Sequence, residues 1–438
     1  MRLWILCVLT SAATCFAGCS GGREAGEADA RTSDDPLAER FIPREFSDPG
    51  LAPSSTDIKT VQLYGEEETD LPIMQLATGR GLTLEFDLMS RQARPLSVYF
   101  YHADRSWRRD LLPTEYLQGF TYDEILEYQT SHASASDYVH YTYRFPNENI
   151  RFRLSGNYIL RVAEQGAEHE VLFERAFFIS EEAASPDLLV ESIMLGIAAF
   201  PGTLPLVRFT PPQSIQGNAF DYDVCFVRNG RIERARCSDR PILASQPTLQ
   251  FDLERHDAFY PEAADYFLDL SSLNVRRGIE RTDLSTAPHQ VVLEPDYANF
   301  PGTLGAPLLN GQTIVSDAAQ NLGDADVFAE YVETRFSFVP PDEEPLEGEL
   351  LLTGSFNDWQ YDPSYRMEWV ADARRYEGVF LLKQGLYEYR YFSPDRRLRR
   401  ILSNAMPRTE NLYLAFVYYS DMRVSTDRLL GVSGTLAP

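Results

Sequence analysis

From Ile58 onward, apolar and polar residues alternate with a period of two. Leu82-Thr83-Leu84-Glu85-Phe86-Asp87-Leu88 alternates strictly, and Val139-His140-Tyr141-Thr142-Tyr143-Arg144-Phe145 does so again. Tyr158, Leu160 and Val162 alternate with Asn157 and Arg161, and Tyr387, Tyr389 and Tyr391 with Glu388 and Arg390. Period two sends successive side chains to opposite faces, so each run predicts a strand with one face on a core and one in water. The 24 tyrosines and 26 phenylalanines suit pleated surfaces. No stretch carries a long 3.6-residue apolar repeat with caps, so helices should be few and short. The expected fold class is all-β: tandem immunoglobulin-like β-sandwich domains.

Punctuation marks the expected boundaries. The polar break Glu181-Glu182-Ala183-Ala184-Ser185-Pro186-Asp187 closes a first domain at 58–182. A second should occupy 188–326 and a third 327–438. Leu188 to Val207 is apolar, but Glu191, Pro201 and Pro205 favour strand–turn–strand over a membrane span. The pentapeptide FPGTL occurs at 200–204 and 300–304 and reads as two Pro-Gly turns.

The start of the chain is different. Arg2 precedes an apolar run from Leu3 to Ala17, too short for a span of about 20 residues and ending in small residues, as a secretory signal does. Phe16-Ala17-Gly18-Cys19 resembles a bacterial lipobox. That resemblance implies a lipoprotein signal at 1–18 and an acylated Cys19 anchored in a membrane; an ordinary cleaved signal is the other reading. Residues 19–57 are rich in Gly, Ser, Ala, Pro and charge, and read as a flexible tether with a coil span on the order of 35 Å.

Composition narrows the partners. The chain has 438 residues with 40 basic and 65 acidic side chains, a net charge of −25. Without Arg2, 39 basic against 65 acidic residues leave −26. This argues against nucleic acid and against charge-driven binding to an anionic leaflet. Lys59 and Lys383 are the only lysines, consistent with a saline habitat or with codon bias in a GC-rich genome. Cys7 and Cys15 leave with the signal. Cys225 and Cys237 then become the only pair in an oxidising setting, so a disulfide worth about 3 kcal/mol is expected between them.

No motif asks for catalysis, a cofactor or a metal. The six histidines show no metal spacing, and His140 lies on the polar face of its strand, where solvent exposure is expected. There is no P-loop, no GxGxxG and no GxSxG elbow. The runs LLLTGSFNDW (350–359), Tyr376-Glu377-Gly378 and LLKQGLYEYRY (381–391) resemble the early-set immunoglobulin-like modules that bind glycogen and starch. That resemblance implies glycan contacts at Trp359, Trp369, Asn357 and Lys383. The structural alternative places Trp359 and the tyrosines in a core, with Gly385 at a turn.

A broader resemblance rests on the order of several pieces. These are IKTVQLY (58–64), Leu71-Pro72-Ile73, YFYHADRSW (99–107), EYLQGF (115–120), YRFPNEN (143–149), SGNYILRV (155–162), VRNGR (227–231), the FNDW segment and NLYLAFVYY (411–419). Together they resemble the type IX secretion system plug family, strongly over 58–180 and 330–432. Asp265-Tyr266-Phe267 departs from the family pattern. The resemblance implies a non-enzymatic protein on the periplasmic face of the outer membrane. Its implied partner is the giant translocon barrel, whose inner mouth it closes. A glycan-binding outer-membrane lipoprotein acting through the third domain is the alternative.

Overall fold

The Leu82–Leu88 strand buries Leu84, Phe86 and Leu88, as its alternation predicts. It pairs antiparallel with Ile58–Tyr64 and Val139–Phe145, and Glu127–Thr130 closes that sheet. A second sheet runs in the order Ile73–Gln75, Val171–Ser180, Gly156–Glu164, Leu96–Ala103, Tyr122–Ile125. Its Phe100, Leu160, Phe173 and Phe177 meet Leu84, Phe86 and Tyr141 in one core. Each such side chain contributes about 1.5–3 kcal/mol by leaving water, so the apolar faces clamp the two sheets into a sandwich. The computed structural model describes residues 49–78, 80–132, 134–195, 200–215, 217–245, 247–260, 264–298, 306–318, 324–402 and 410–437. The signal, Cys19 and the second FPGTL copy lie outside the described residues.

Two further cores follow. One collects Val207, Phe209, Val224, Phe226 and Phe251 together with Tyr413, Val417 and Leu430. The other collects Tyr266, Leu268 and Val291 together with Phe336, Leu352, Tyr387 and Tyr391. Strand pairing explains the mixture. Tyr222–Arg228 pairs with Asn411–Asp421, which pairs with Thr426–Ala437, whereas Tyr266–Asp269 pairs with Gly385–Phe392. The expected division into 188–326 and 327–438 is therefore corrected. The third sandwich, with strands from Tyr266 to Phe392, is inserted between two halves of the second. Local punctuation marks turns, and it carries no information about a strand partner as distant as Tyr419 is from Tyr222.

The strand pair expected within 188–207 is present, and other expectations are corrected. Asp187–Leu195 and Phe200–Phe209 are antiparallel partners, so the apolar stretch is a strand pair. The first FPGTL copy lies inside the second of these strands, not at a turn. Pro201 pairs with Met194, and on the other side the chain is met only by a bridge from Thr203 to Phe259 and by the next strand from Leu206 on, so the missing N–H at Pro201 is tolerated. The tether ends before residue 57: Ala52 exchanges backbone and side-chain hydrogen bonds with Glu174, and Ser55 N–H donates to Leu172. Gly385 opens a strand, where an added Cβ would lie 2.3 Å from the Ile314 carbonyl.

The largest departure concerns the polar faces. Glu85, Asp87, His140 and Thr142 were expected in water, yet all are buried. The third sandwich covers the face they occupy. The Asn411–Asp421 strand is likewise buried on both sides: Tyr413, Val417 and Tyr419 point into the second core, while Phe416 and Tyr418 pack towards Phe178 of the first sandwich.

Candidate functional site

The joint between the first and third sandwiches is built on Asp87. Its Oδ2 accepts from Lys383 Nζ at 2.6 Å and from the Tyr331 hydroxyl at 2.7 Å, and Lys383 also donates to the Asp326 carbonyl at 2.6 Å. An ionised carboxylate only accepts, so His140 Nδ1, 2.8 Å from Asp87 Oδ1, carries the proton. Thr60 donates to Tyr331 at 2.6 Å, and the Tyr138 hydroxyl donates to the Ala329 carbonyl at 2.9 Å. The Lys383 ammonium sits 4.5 Å from the Tyr138 ring centroid. Burial pushes the Asp87 carboxyl up, but Lys383 and His140 outweigh it and hold it below the usual carboxylate range. Burial lowers His140, and Asp87 more than restores it. Around this core, burial pushes Asp326 up to about 6. Burial, with Asp326 and Glu85 nearby, pushes Glu68 up to about 7.

The joint between the first and second sandwiches is also polar, around an apolar contact. Phe178 and Phe416 rings lie 4.6 Å apart. Arg428 bridges Glu181 at 2.6 Å and Asp421 at 2.8 Å, and the Tyr418 hydroxyl donates to Asn157 at 2.8 Å. Arg105 pairs with Asp427 at 2.8 Å and Asp223 at 3.3 Å. Burial pushes Asp223 up to about 6 despite Arg105. A raised acid pKa means that the folded state holds an extra proton between the unfolded value near 3.8 and about 6, so this site's stabilisation falls as pH rises through that window. Asp223→Asn, which mimics the protonated acid, should therefore raise Tm at pH 7.5 and leave it unchanged near pH 4. Thermal melts at the two pH values check this, and an equal shift at both would refute it.

A cleft of about 430 Å³ lies where the three sandwiches meet, lined among others by Leu63, Arg175, Arg231, Thr313, Trp359 and Phe416. The Trp359 indole N–H donates to the Gly311 carbonyl at 2.9 Å, and the Arg231 guanidinium covers its ring 3.2 Å from the centroid. Asp265 joins Arg231 of the second sandwich to Arg390 of the third, at 3.2 and 2.5 Å.

The four residues expected to form a sugar surface are not brought to one surface. Lys383 has no exposed side chain and is sealed in the first–third joint. The Asn357 side-chain Oδ1 accepts from the Gly354 N–H at 2.9 Å and shapes its own turn. Trp369 packs against the third core on Tyr376, and Trp359 lines the cleft under Arg231. The glycan-contact expectation is corrected accordingly. A lysine beside a Gly-rich turn reads as exposed until the sandwich that covers it is in place. Cys225 and Cys237 lie opposite each other on adjacent strands and form a disulfide, with Cα atoms 3.9 Å apart. Sequence reasoning missed Asp87, Tyr331 and Asp326. The one signal available was Lys383, one of only two lysines in the chain.

Fold and joints define a class first: an all-β protein of three sandwiches coupled through buried polar contacts. Residues 58–181, the first sandwich, match the family model described as type 9 secretion system plug protein 1st domain. The crystal structure of a hypothetical protein from Parabacteroides merdae ATCC 43184 is similar at 21% identity and a TM-score of 0.79, over 88% of this chain and 98% of that one. At that identity the likeness shows the fold. The partial N-terminal region of an enterococcal surface protein aligns at 8% identity over 89% of this chain and 97% of that one, with a TM-score of 0.17 that carries no argument. No curated protein matches the chain.

Proposed function

We propose that the chain is a lipid-tethered, non-enzymatic plug that closes the periplasmic mouth of the type 9 outer-membrane translocon barrel. A role in type 9 secretion follows from the family match over 58–181, the observation that carries the reading. The joints support the finer claim. Closing a wide pore needs a large, stiff and reversible obstruction, and buried ion pairs and aromatic contacts couple the sandwiches without hinges of bare linker. An acylated Cys19 and a tether would raise the plug's effective concentration at the pore, so that modest affinity keeps it occupied.

The first sandwich supplies a contact surface. Leu112, Phe120, Tyr122, Leu126 and Tyr128 are exposed, Leu126 at 78%. Tyr122–Ile125 and Glu127–Thr130 are the edge strands of its two sheets. Exposed apolar residues on an unpaired edge form an association surface. Affinity capture of the full chain from native outer membranes should recover a giant barrel protein. Leu126→Asp should reduce that recovery by about 10-fold with Tm unchanged. Recovery of only soluble enzymes or glycans would overturn the reading. Deleting the gene should make the outer membrane leaky to bulky antibiotics.

A further inference from the structure

Glu85, His140 and Asp326 stand together in the first–third joint, with one ligand-type atom of each within 4.8 Å of the other two. Glu85 and His140 come from neighbouring strands of the first sandwich, Leu82–Leu88 and Val139–Phe145. Asp326 comes from the short helix Ala325–Phe328 that leads into the third. His140 is more than nine-tenths buried. Its Nδ1 is committed to Asp87, so Nε2 is the ring nitrogen that faces the cluster. That atom faces Glu85 Oε1 at 4.0 Å, beyond hydrogen-bond distance. A carboxylate that fixes the imidazole tautomer from behind is the arrangement that supports metal-binding histidines.

Charge points the same way. Asp87 and Asp326 face the Lys383 ammonium, with Glu85 and Glu68 close to Asp326, and Lys383 is hydrogen-bonded to Asp87 and to a backbone carbonyl, not to Glu85 or the Asp326 carboxylate. Tyr64 donates to Glu85 Oε2 at 2.7 Å, leaving Oε1 towards His140. Glu68 Oε2 is buried with no hydrogen-bond partner. Buried anions without a matching cation are costly, and one divalent ion would offset the excess.

We propose that Glu85, His140 and Asp326 form a divalent transition-metal site that staples the first sandwich to the third. One imidazole with two carboxylates suits Zn²⁺ or Mn²⁺ better than Ca²⁺ or Mg²⁺, which take all-oxygen sites. No sequence motif marks the site, because its ligands come from three separated segments.

The test uses the full-length, tag-free protein stripped with EDTA, loaded with ZnCl₂ and desalted, with metal read by inductively coupled plasma mass spectrometry. One Zn²⁺ per chain is expected, with a raised Tm. Loss of an outer-shell partner weakens metal sites by about 10–100-fold, and loss of a ligand should weaken them at least as much. Asp326→Asn and Glu85→Gln keep side-chain size, and each should weaken Zn²⁺ by ~10-fold or more and abolish the Tm gain. Circular dichroism of the metal-free variants confirms that they fold, and the two together guard against one of them misfolding. Zn²⁺ retained equally by wild type and both variants, no Zn²⁺ retained by wild type, or equal loading with CaCl₂ would each overturn the proposal.

Discussion

Replacing Lys383 by methionine should destabilise the protein by about 3–5 kcal/mol, the range for removing one partner of a buried ion pair. The stem of the side chain is kept, so packing changes little and the effect is electrostatic. Asp87 is then left at the centre of the joint with no ammonium, still fully buried, holding only Tyr331 and His140. The double variant Asp87→Asn with Lys383→Met should recover a large part of that loss. Removing both charges abolishes the uncompensated anion, and residues in one network are strongly non-additive. Urea unfolding of metal-free wild type, both single variants and the double closes the cycle. A Lys383→Met cost below ~1 kcal/mol would show that the joint does not depend on this pair.

Phe416→Ala should cost about 3–5 kcal/mol, as large-to-small changes at packed aromatic sites do. Phe416 lies on the outer face of the second sandwich but is only 1% exposed, because Phe178 of the first covers it. The void would open between two sandwiches instead of inside one. The same change should therefore loosen their coupling as well as lower total stability. Limited proteolysis should cut the variant in the Glu181–Asp187 connection, which wild type protects through Arg428–Glu181 and backbone bonds to Leu429 and Leu430. If the unfolding cost appears and the connection stays protected, the coupling argument is wrong even though the packing argument holds. For a plug, coupling is the property of interest, since a hinge at either joint would let the obstruction fold away from the pore.

The buried ion pairs between the sandwiches do not account for the acidic excess. Asp87, Asp223, Asp265 and Glu181 are each matched by a base, Lys383, Arg105, Arg231 and Arg428, so these pairs add nothing to the net charge. Their number says little about habitat or about a docking face. The contact surface proposed for the barrel is an apolar edge of the first sandwich.

What the sequence determined by itself is local. Alternation in Leu82–Leu88 and Val139–Phe145 identified strands and their core-facing residues, because period two is a property of the backbone. The same periodicity showed an all-β chain, and the ordered pieces from Ile58 to Val162 pointed to the family that residues 58–181 match. What only the tertiary structure decided is what lies on the other face of each strand. Alternation divides residues into two sets, and it cannot say whether the polar set meets water or another sandwich. His140, Asp87 and Lys383 read as surface residues for that reason, and Trp359 read as a sugar platform. The inserted third sandwich was invisible on the same ground, since an entire intervening sandwich separates Tyr222 from its partner Tyr419 along the chain. Burial at a joint is a non-local property, and in this protein the joints hold both the charged core and the candidate metal site.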